Sequence, residues 1–343
     1  MGTVGIIGLG LIGGSMGLAL KRAKLQNTEV IGYDRDSSVE QRALKGGAVD
    51  RLARSPEELA SQSSIVVIAT PILNAQKVLQ QIASSLQRGA VVTDTCSTKS
   101  SVLKWANIDL PPSVHFVGGH PMAGKEQSGP QAAEATLFQD RPYVIIPSVS
   151  AHEGAVNVVV GLAEAIGAKP VFLDADEHDA YAAAISHVPL VASVALFSLA
   201  RGSTAWPELA NMAGPGFKDL TRLASGQPEM AHDIFLTNKQ NISHWIDRYI
   251  GELRKLQDMI DGDDAEALFR SLAETQIERD TFIEKPPSRE EPGLPSDLPS
   301  PTESFVSLMA GSLWTNRAKE MTDGMEDRLK QREREDRLRR RID

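Results

Sequence analysis

The chain is poor in cysteine, in aromatic residues and in net positive charge. Across 343 residues it has one cysteine, Cys96, 5% aromatics, and 45 Asp and Glu against 36 Lys and Arg. A lone thiol excludes an intrachain disulfide and suits a reducing compartment. A formal net charge of −9 argues against nucleic acid as the main partner. It leaves room for an anionic small molecule, because backbone N–H groups and one placed arginine act locally. Long hydrophobic runs are also scarce. The most apolar stretch, Ala182 to Ala200, contains His187 and Pro189 and ends at Arg201, which suits a buried helix better than a membrane span. The first strand begins within three residues, so no signal peptide is expected. The expectation is a soluble cytoplasmic protein with a small-molecule substrate, no membrane or nucleic-acid partner and no metal site.

Glycine, by contrast, is concentrated at the start. Val4 to Ile7 reads as an apolar strand that runs into Gly8-Leu9-Gly10-Leu11-Ile12-Gly13-Gly14-Ser15 and then a helix. This places G-x-G-x-x-G at Gly8, Gly10 and Gly13. Gly8 permits the tight turn, Gly10 lets a pyrophosphate approach the backbone, and Gly13 lets the helix pack close to the strand. A second strand, Glu29 to Tyr33, ends at Asp34, about 20 residues past the third glycine, where an acid can accept from an adenosine ribose. A dinucleotide site is therefore expected, with Leu11 and Ile12 in the same turn. Asp34 would repel a ribose 2′-phosphate and favours NAD; Arg35 either stacks on adenine or pairs with such a phosphate, so NADP stays open.

Strand-like and helix-like segments alternate through residues 1–150, which predicts a doubly wound α/β domain with a parallel sheet. Ser37 to Gly46, the capped start at Ser55-Pro56, and Ile72 to Leu86 read as helices. Ile65 to Ile68, Ala90 to Thr93, Phe116-Val117 and Tyr143 to Ile146 read as strands. Residues 151–284 begin with a helix, His152 to Gly167, and a strand near Pro170 to Leu173. Helical sequence follows over Asp176 to Ala200, Pro207 to Ser225, Pro228 to Asp261 and Asp263 to Ile283. Its apolar faces exceed what one layer needs and predict a helical dimerisation domain. Residues 285–302 form a proline-rich linker, and residues 303–343 a charged helical or disordered tail.

Ligands in such sheets sit beyond the carboxyl ends of the strands. Two segments fall there: Asp94 to Lys99, and Gly118-Gly119-His120-Pro121-Met122-Ala123-Gly124. His120 stands among small residues and is the best general base in the chain, or else a histidine that only bonds its own loop. Ser97 is either a helix N-cap or a hydroxyl that orients substrate and histidine.

These segments and the glycine turn resemble the prephenate/arogenate dehydrogenases of tyrosine biosynthesis. The resemblance rests on G-L-G-L-I-G-G-S at Gly8 to Ser15, A-T-P at Ala69 to Pro71, D-T-C-S-T-K at Asp94 to Lys99 and G-G-H-P-M-A-G at Gly118 to Gly124. I-S-H-V-P at Ile185 to Pro189 and G-F-K-D-L-T-R at Gly216 to Arg222 complete it, and the match covers roughly residues 4 to 284. It is nearest in character to the cyanobacterial and plant-like arogenate branch. The resemblance implies oxidative decarboxylation with hydride transfer to NAD(P)⁺. It makes His120 the base for the ring hydroxyl, Ser97 its orienting hydroxyl and Arg222 the substrate-carboxylate ligand. It adds His187 as a pocket histidine (a capped core histidine being the other reading), Glu126 and Asp219 as acids able to pair with Arg222, and Thr70 and Pro71 at the cofactor. Leu190 departs from relatives that carry a second histidine there. The competing readings are a β-hydroxyacid dehydrogenase, whose helix lysine has no obvious counterpart near His187, and a non-catalytic NAD(H)-binding regulator, which would be expected to have lost His120 or Arg222.

Overall fold

The computed structural model describes residues 2–25, 27–125, 127, 129–262 and 264–287. The linker from residue 288 and the tail to residue 343 lie outside them, as does Glu126. Among the described residues the chain divides into two units. One holds residues up to Asp179 together with Ser225–Thr237; the other holds Ala180–Ala224 and the chain from Asn238.

The first unit is an eight-stranded sheet in the order β3-β2-β1-β4-β5-β6-β7-β8. Its strands and helices are β1 (Gly2–Ile7), α1 (Leu11–Arg22), β2 (Thr28–Tyr33), α2 (Ser37–Lys45), β3 (Arg51–Leu52), α3 (Pro56–Gln62), β4 (Ile65–Ile68), α4 (Ile72–Ile82), β5 (Val91–Asp94), α5 (Ser100–Asp109), β6 (His115–Pro121), β7 (Pro142–Pro147), α6 (Glu153–Ala165) and β8 (Lys169–Phe172). Neighbouring strands from β3 to β6 are parallel, β7 runs antiparallel to β6, and β8 is parallel to β7. This is the doubly wound α/β architecture read from the alternation. The apolar run Ile65–Ile68 is wholly buried, as a strand covered on both faces must be. Ser55 caps α3 by accepting from the Glu58 N–H, with Pro56 in the first turn.

The sheet corrects the expected division at residue 150. Helix α6 buries Val158, Val159 and Leu162, and β8 extends the same sheet beside β7, so both belong to the first unit. Strand β3 has only two residues and no periodicity, and it escaped the sequence reading.

Helix α7 (Ala175–Ala182) is followed by a π-helical turn, Ala183–His187, and α8 (Val188–Arg201). One continuous helix was expected over this stretch. Pro189 lacks an N–H and its ring crowds the carbonyl four residues back, which is the physical reason for the widened turn. After α9 (Trp206–Met212) and α10 (Pro215–Thr221) comes α11 (Pro228–Thr237), which belongs to the first unit and packs on α4. Helices α12 (Lys239–Asp261) and α13 (Ala265–Glu284) complete the described chain. A single helix from Pro228 to Asp261 was expected; Asn238 leaves helical geometry, with φ −122° and ψ 29°, and separates two. Within the second unit α8 packs on α10, and Phe197, Trp206 and Phe217 cluster with ring centroids 5.7–6.5 Å apart.

Candidate active site

The glycine turn follows from backbone geometry that other residues would not allow. Gly8 has φ +95°, and a Cβ there would lie 2.5 Å from the Ala69 carbonyl oxygen. A Cβ on Gly13 would lie 1.9 Å from the Gly8 carbonyl oxygen, so helix α1 can approach β1 only with glycine at that position. Gly10 differs: nothing stands within 4 Å of its would-be Cβ, and no side chain caps the α1 N-terminus. The N–H groups of that first turn are thus available to an anion.

Above this turn the first unit holds a cavity of about 580 Å³ at the carboxyl ends of the central strands. Gly8, Gly10, Leu11 and Ile12 line it after β1, Asp34 and Arg35 after β2, and Thr70 and Pro71 after β4. Gly13 is buried beneath the turn. The Asp34 carboxylate accepts from the Leu9 N–H at 2.8 Å and from the Asp36 N–H at 3.0 Å, which fixes it between the two loops. Each oxygen keeps a second lone pair for a hydroxyl donor. Arg35 is largely exposed, its guanidinium 3.9 Å from Glu229 of α11. Open space at Gly10, uncapped N–H groups and a placed carboxylate together fit a dinucleotide.

Ser97 and His120 line the same cavity after β5 and at the end of β6. His120 sits on the strand rather than in the loop expected after Phe116-Val117. Gly118 and Gly119 continue β6, and His120 pairs with Val144 of β7. The glycines permit this because a Cβ at Gly119 would lie 2.5 Å from the Tyr143 hydroxyl and 2.6 Å from the Asp94 carbonyl oxygen. Behind the strand, buried Lys99 pairs with Asp94 and donates to the Gly119 carbonyl at 2.6 Å. Asp94 in turn accepts from the Gly119 N–H at 3.2 Å and the Cys96 N–H at 2.9 Å. This buried ion pair satisfies its hydrogen bonds and holds the His120 and Ser97 loops in register. Burial, reinforced by Asp94, pushes the Cys96 thiol well above its ordinary pKa, so it is a packed thiol rather than a nucleophile.

Ser97 is not a helix N-cap. Helix α5 begins at Ser100, and its first N–H groups are capped from a distance by Asp179, which accepts from Lys99 N–H at 2.7 Å and Ser100 N–H at 2.9 Å. Asp179 also accepts from His178, whose Nδ1 lies 2.8 Å from Oδ1, and His178 Nε2 lies 2.8 Å from His120 Nδ1. His120, His178 and Asp179 are all buried. Burial raises the Asp179 carboxyl pKa, but the His178 and backbone hydrogen bonds outweigh it and leave it below its ordinary value. The sequence reading missed this pair. The only signal was Glu177-His178-Asp179 in a first helical turn just after a strand, a placement that carries no spacing rule.

In the second unit His187 is fully buried in the π-helical turn, with Nδ1 3.1 Å from the Asn238 side-chain nitrogen. That is the packed, hydrogen-bonded setting of a core histidine. Leu190 is buried on the same helix. Arg222 is exposed at the end of α10, and Asp219 is exposed on α10 itself.

Residues 16–172 match the prephenate dehydrogenase nucleotide-binding domain, and residues 174–274 match the prephenate dehydrogenase dimerization domain. The chain is 34% identical over 296 residues to the prephenate dehydrogenase of Bacillus subtilis, covering 86% of this chain and 78% of that protein. It is 31% identical to the cyclohexadienyl dehydrogenase of Zymomonas mobilis, covering 80% of this chain and 94% of that protein. Among solved structures, prephenate dehydrogenase from Aquifex aeolicus in complex with hydroxyphenyl propionate and NAD⁺ superposes with a TM-score of 0.77 at 29% identity. It covers 82% of this chain and 98% of the other. Synechocystis arogenate dehydrogenase gives 0.69 at 29% identity, covering 82% and 99%.

Proposed function

The chain belongs to the prephenate dehydrogenase family, and we propose that it oxidises and decarboxylates prephenate or arogenate with His120 as the base. It is an NAD-dependent dehydrogenase of the tyrosine pathway. The observation that carries the residue assignment is that His120, buried at the end of β6, lines the same cavity as the glycine turn.

Bound NAD⁺ supplies the acceptor for the hydride that leaves the ring carbon bearing the hydroxyl. Gly8, Gly10 and the α1 N-terminus would hold the pyrophosphate, and Asp34 would accept from the adenosine ribose and favour NAD over NADP. Leu11, Ile12, Thr70 and Pro71 would line the rest of the cofactor site, with Arg35 at its adenosine end. His120 takes the proton from the ring hydroxyl as the carbon–hydrogen bond breaks, and Ser97 orients that hydroxyl. The ring carboxylate then departs as CO₂, its bonding electrons entering the aromatic ring. His120 returns its proton to the phenolic oxygen, so no net proton is consumed for prephenate. Arg222 binds a substrate carboxylate by a planar two-pronged contact. His187, buried and paired with Asn238, holds the π-helical turn of the second unit, and Asp219, three residues before Arg222, tunes that arginine.

The second unit supports a homodimer. Its helices leave Leu199, Met212, Leu220, Leu253, Phe269 and Ile277 exposed, more apolar surface than an isolated chain ordinarily shows. The helical run from Ala175 to Arg201 is long and apolar enough to cross a membrane by composition, but a dimer interface accounts for the same surface in a dimerization domain. A cytoplasmic location suits the lone buried thiol and the NAD requirement.

The test is incubation of the full chain with prephenate or arogenate and with NAD⁺ or NADP⁺, following reduced nicotinamide absorbance. NAD⁺ reduction with one of the two substrates supports the proposal. Reduction with neither, while a β-hydroxyacid is oxidised, replaces it.

A further inference from the structure

Two residues that no comparison assigns, His178 and Asp179, stand directly behind the base. We propose that His178, anchored by Asp179, is a positioning residue that fixes the tautomer of His120 so that Nε2 is its basic nitrogen.

The argument is one of donors and acceptors. Asp179 as a carboxylate can only accept, so the 2.8 Å contact requires the proton of His178 on Nδ1. In a neutral imidazole the other nitrogen is then an acceptor. With His178 neutral, its Nε2 accepts at 2.8 Å and His120 donates from Nδ1. The basic lone pair of His120 is left on Nε2. Asp179 is itself held in place, because the Lys99 and Ser100 N–H groups of the α5 N-terminus donate to its two oxygens. A helix N-terminus, a carboxylate and two imidazoles thus form one chain of hydrogen bonds ending at the base. Among the described residues, Lys99 and Asp94 pack behind the strand and neutralise each other in a buried pair. When His120 accepts the substrate proton, its positive charge faces an acceptor already aligned with the Asp179 carboxylate.

The inference rests on His120 acting as the base, and the experiment separates the two. His178→Leu removes the acceptor, whereas His178→Gln offers a carbonyl oxygen in its place. The leucine variant should lower kcat at least about tenfold and shift the acidic limb of the kcat–pH profile, with both KM values changed by less than about threefold. The glutamine variant should recover most of that loss. In a His120→Asn background, His178→Leu should cost little more, because the two act as a unit. Equal defects in the leucine and glutamine variants, or an unmoved acidic limb, would overturn the proposal.

Should the leucine variant fail to fold, ¹⁵N NMR of the wild-type resting enzyme decides. A protonated His120 Nδ1 with bare Nε2 is expected, and the opposite tautomer refutes the proposal. That spectrum needs no turnover, so a wild-type enzyme inactive on prephenate and arogenate would count against the function alone.

Discussion

The two units solve opposite problems. In the sheet unit, charged and polar groups are buried and answered: Lys99 by Asp94 and Gly119, Asp179 by His178 and two backbone N–H groups. In the helical unit apolar side chains are left outside, with Met212 at 83% and Leu199 at 76% exposure. Buried polar groups answered in this way preorganise the site around His120. The helical unit matches a dimerization domain, and its exposed apolar side chains suit an interface. Chemistry should therefore respond to mutation mainly in the first unit, and assembly mainly in the second, with Arg222 the exception that tests the division.

The largest effect should come from His120→Asn. It should lower kcat by about 10²–10⁴-fold and abolish the acidic limb of the pH profile, leaving substrate KM nearly unchanged. Unaltered turnover would move the base elsewhere. Arg222→Ala should raise substrate KM by about one to two orders of magnitude, from loss of a charge-assisted contact worth on the order of 1.5–3 kcal/mol. The NAD⁺ constant should not move, and Arg222→Lys should restore only part of the loss. A change confined to the cofactor constant would remove Arg222 from the substrate.

Two glycine variants sharpen the contrast within the sheet unit. Gly13→Ala forces a Cβ against the Gly8 carbonyl and should lower Tm as well as NAD⁺ affinity. Gly10→Ala meets no protein atom and should weaken NAD⁺ binding with Tm unchanged. Equal melting losses in both would contradict the cradle. In the helical unit, Leu253→Glu on α12 places a charge on the exposed apolar face and should shift a dimer toward monomer in analytical ultracentrifugation, with far-UV circular dichroism retained. The smallest effect belongs to Asp34→Ser, which should relax the NAD preference by removing repulsion of a 2′-phosphate. A wild type that already prefers NADP⁺ would cancel the role given to Asp34.

What could be read from the chain follows the range of the interactions involved. The turn at Gly8, Gly10 and Gly13 was legible because each glycine answers a local backbone demand, and Asp34 because strand length sets its distance from the turn. His120 was legible as a residue but not as part of a strand, since its extended geometry depends on pairing with β7 across residues 121–142. The contact from His120 to His178 spans 58 positions and leaves no periodic trace. For the same reason the boundary expected at residue 150 fell short, because β8 joins the sheet through a pairing with β7 that its own short, half-exposed sequence does not announce. The break at Asn238 and the π-helical turn before Pro189 show the converse, where single residues interrupt an otherwise helical pattern.

The central claim is that the cavity of the sheet unit couples loss of hydride to loss of CO₂. The most direct measurement is simultaneous recording of reduced nicotinamide and released CO₂ as the full chain turns over prephenate or arogenate with NAD⁺. Equal amounts of the two, with both abolished together in His120→Asn, are the predicted result. Reduction of nicotinamide without CO₂ release would contradict the account and indicate a simple alcohol oxidation, as in a β-hydroxyacid dehydrogenase.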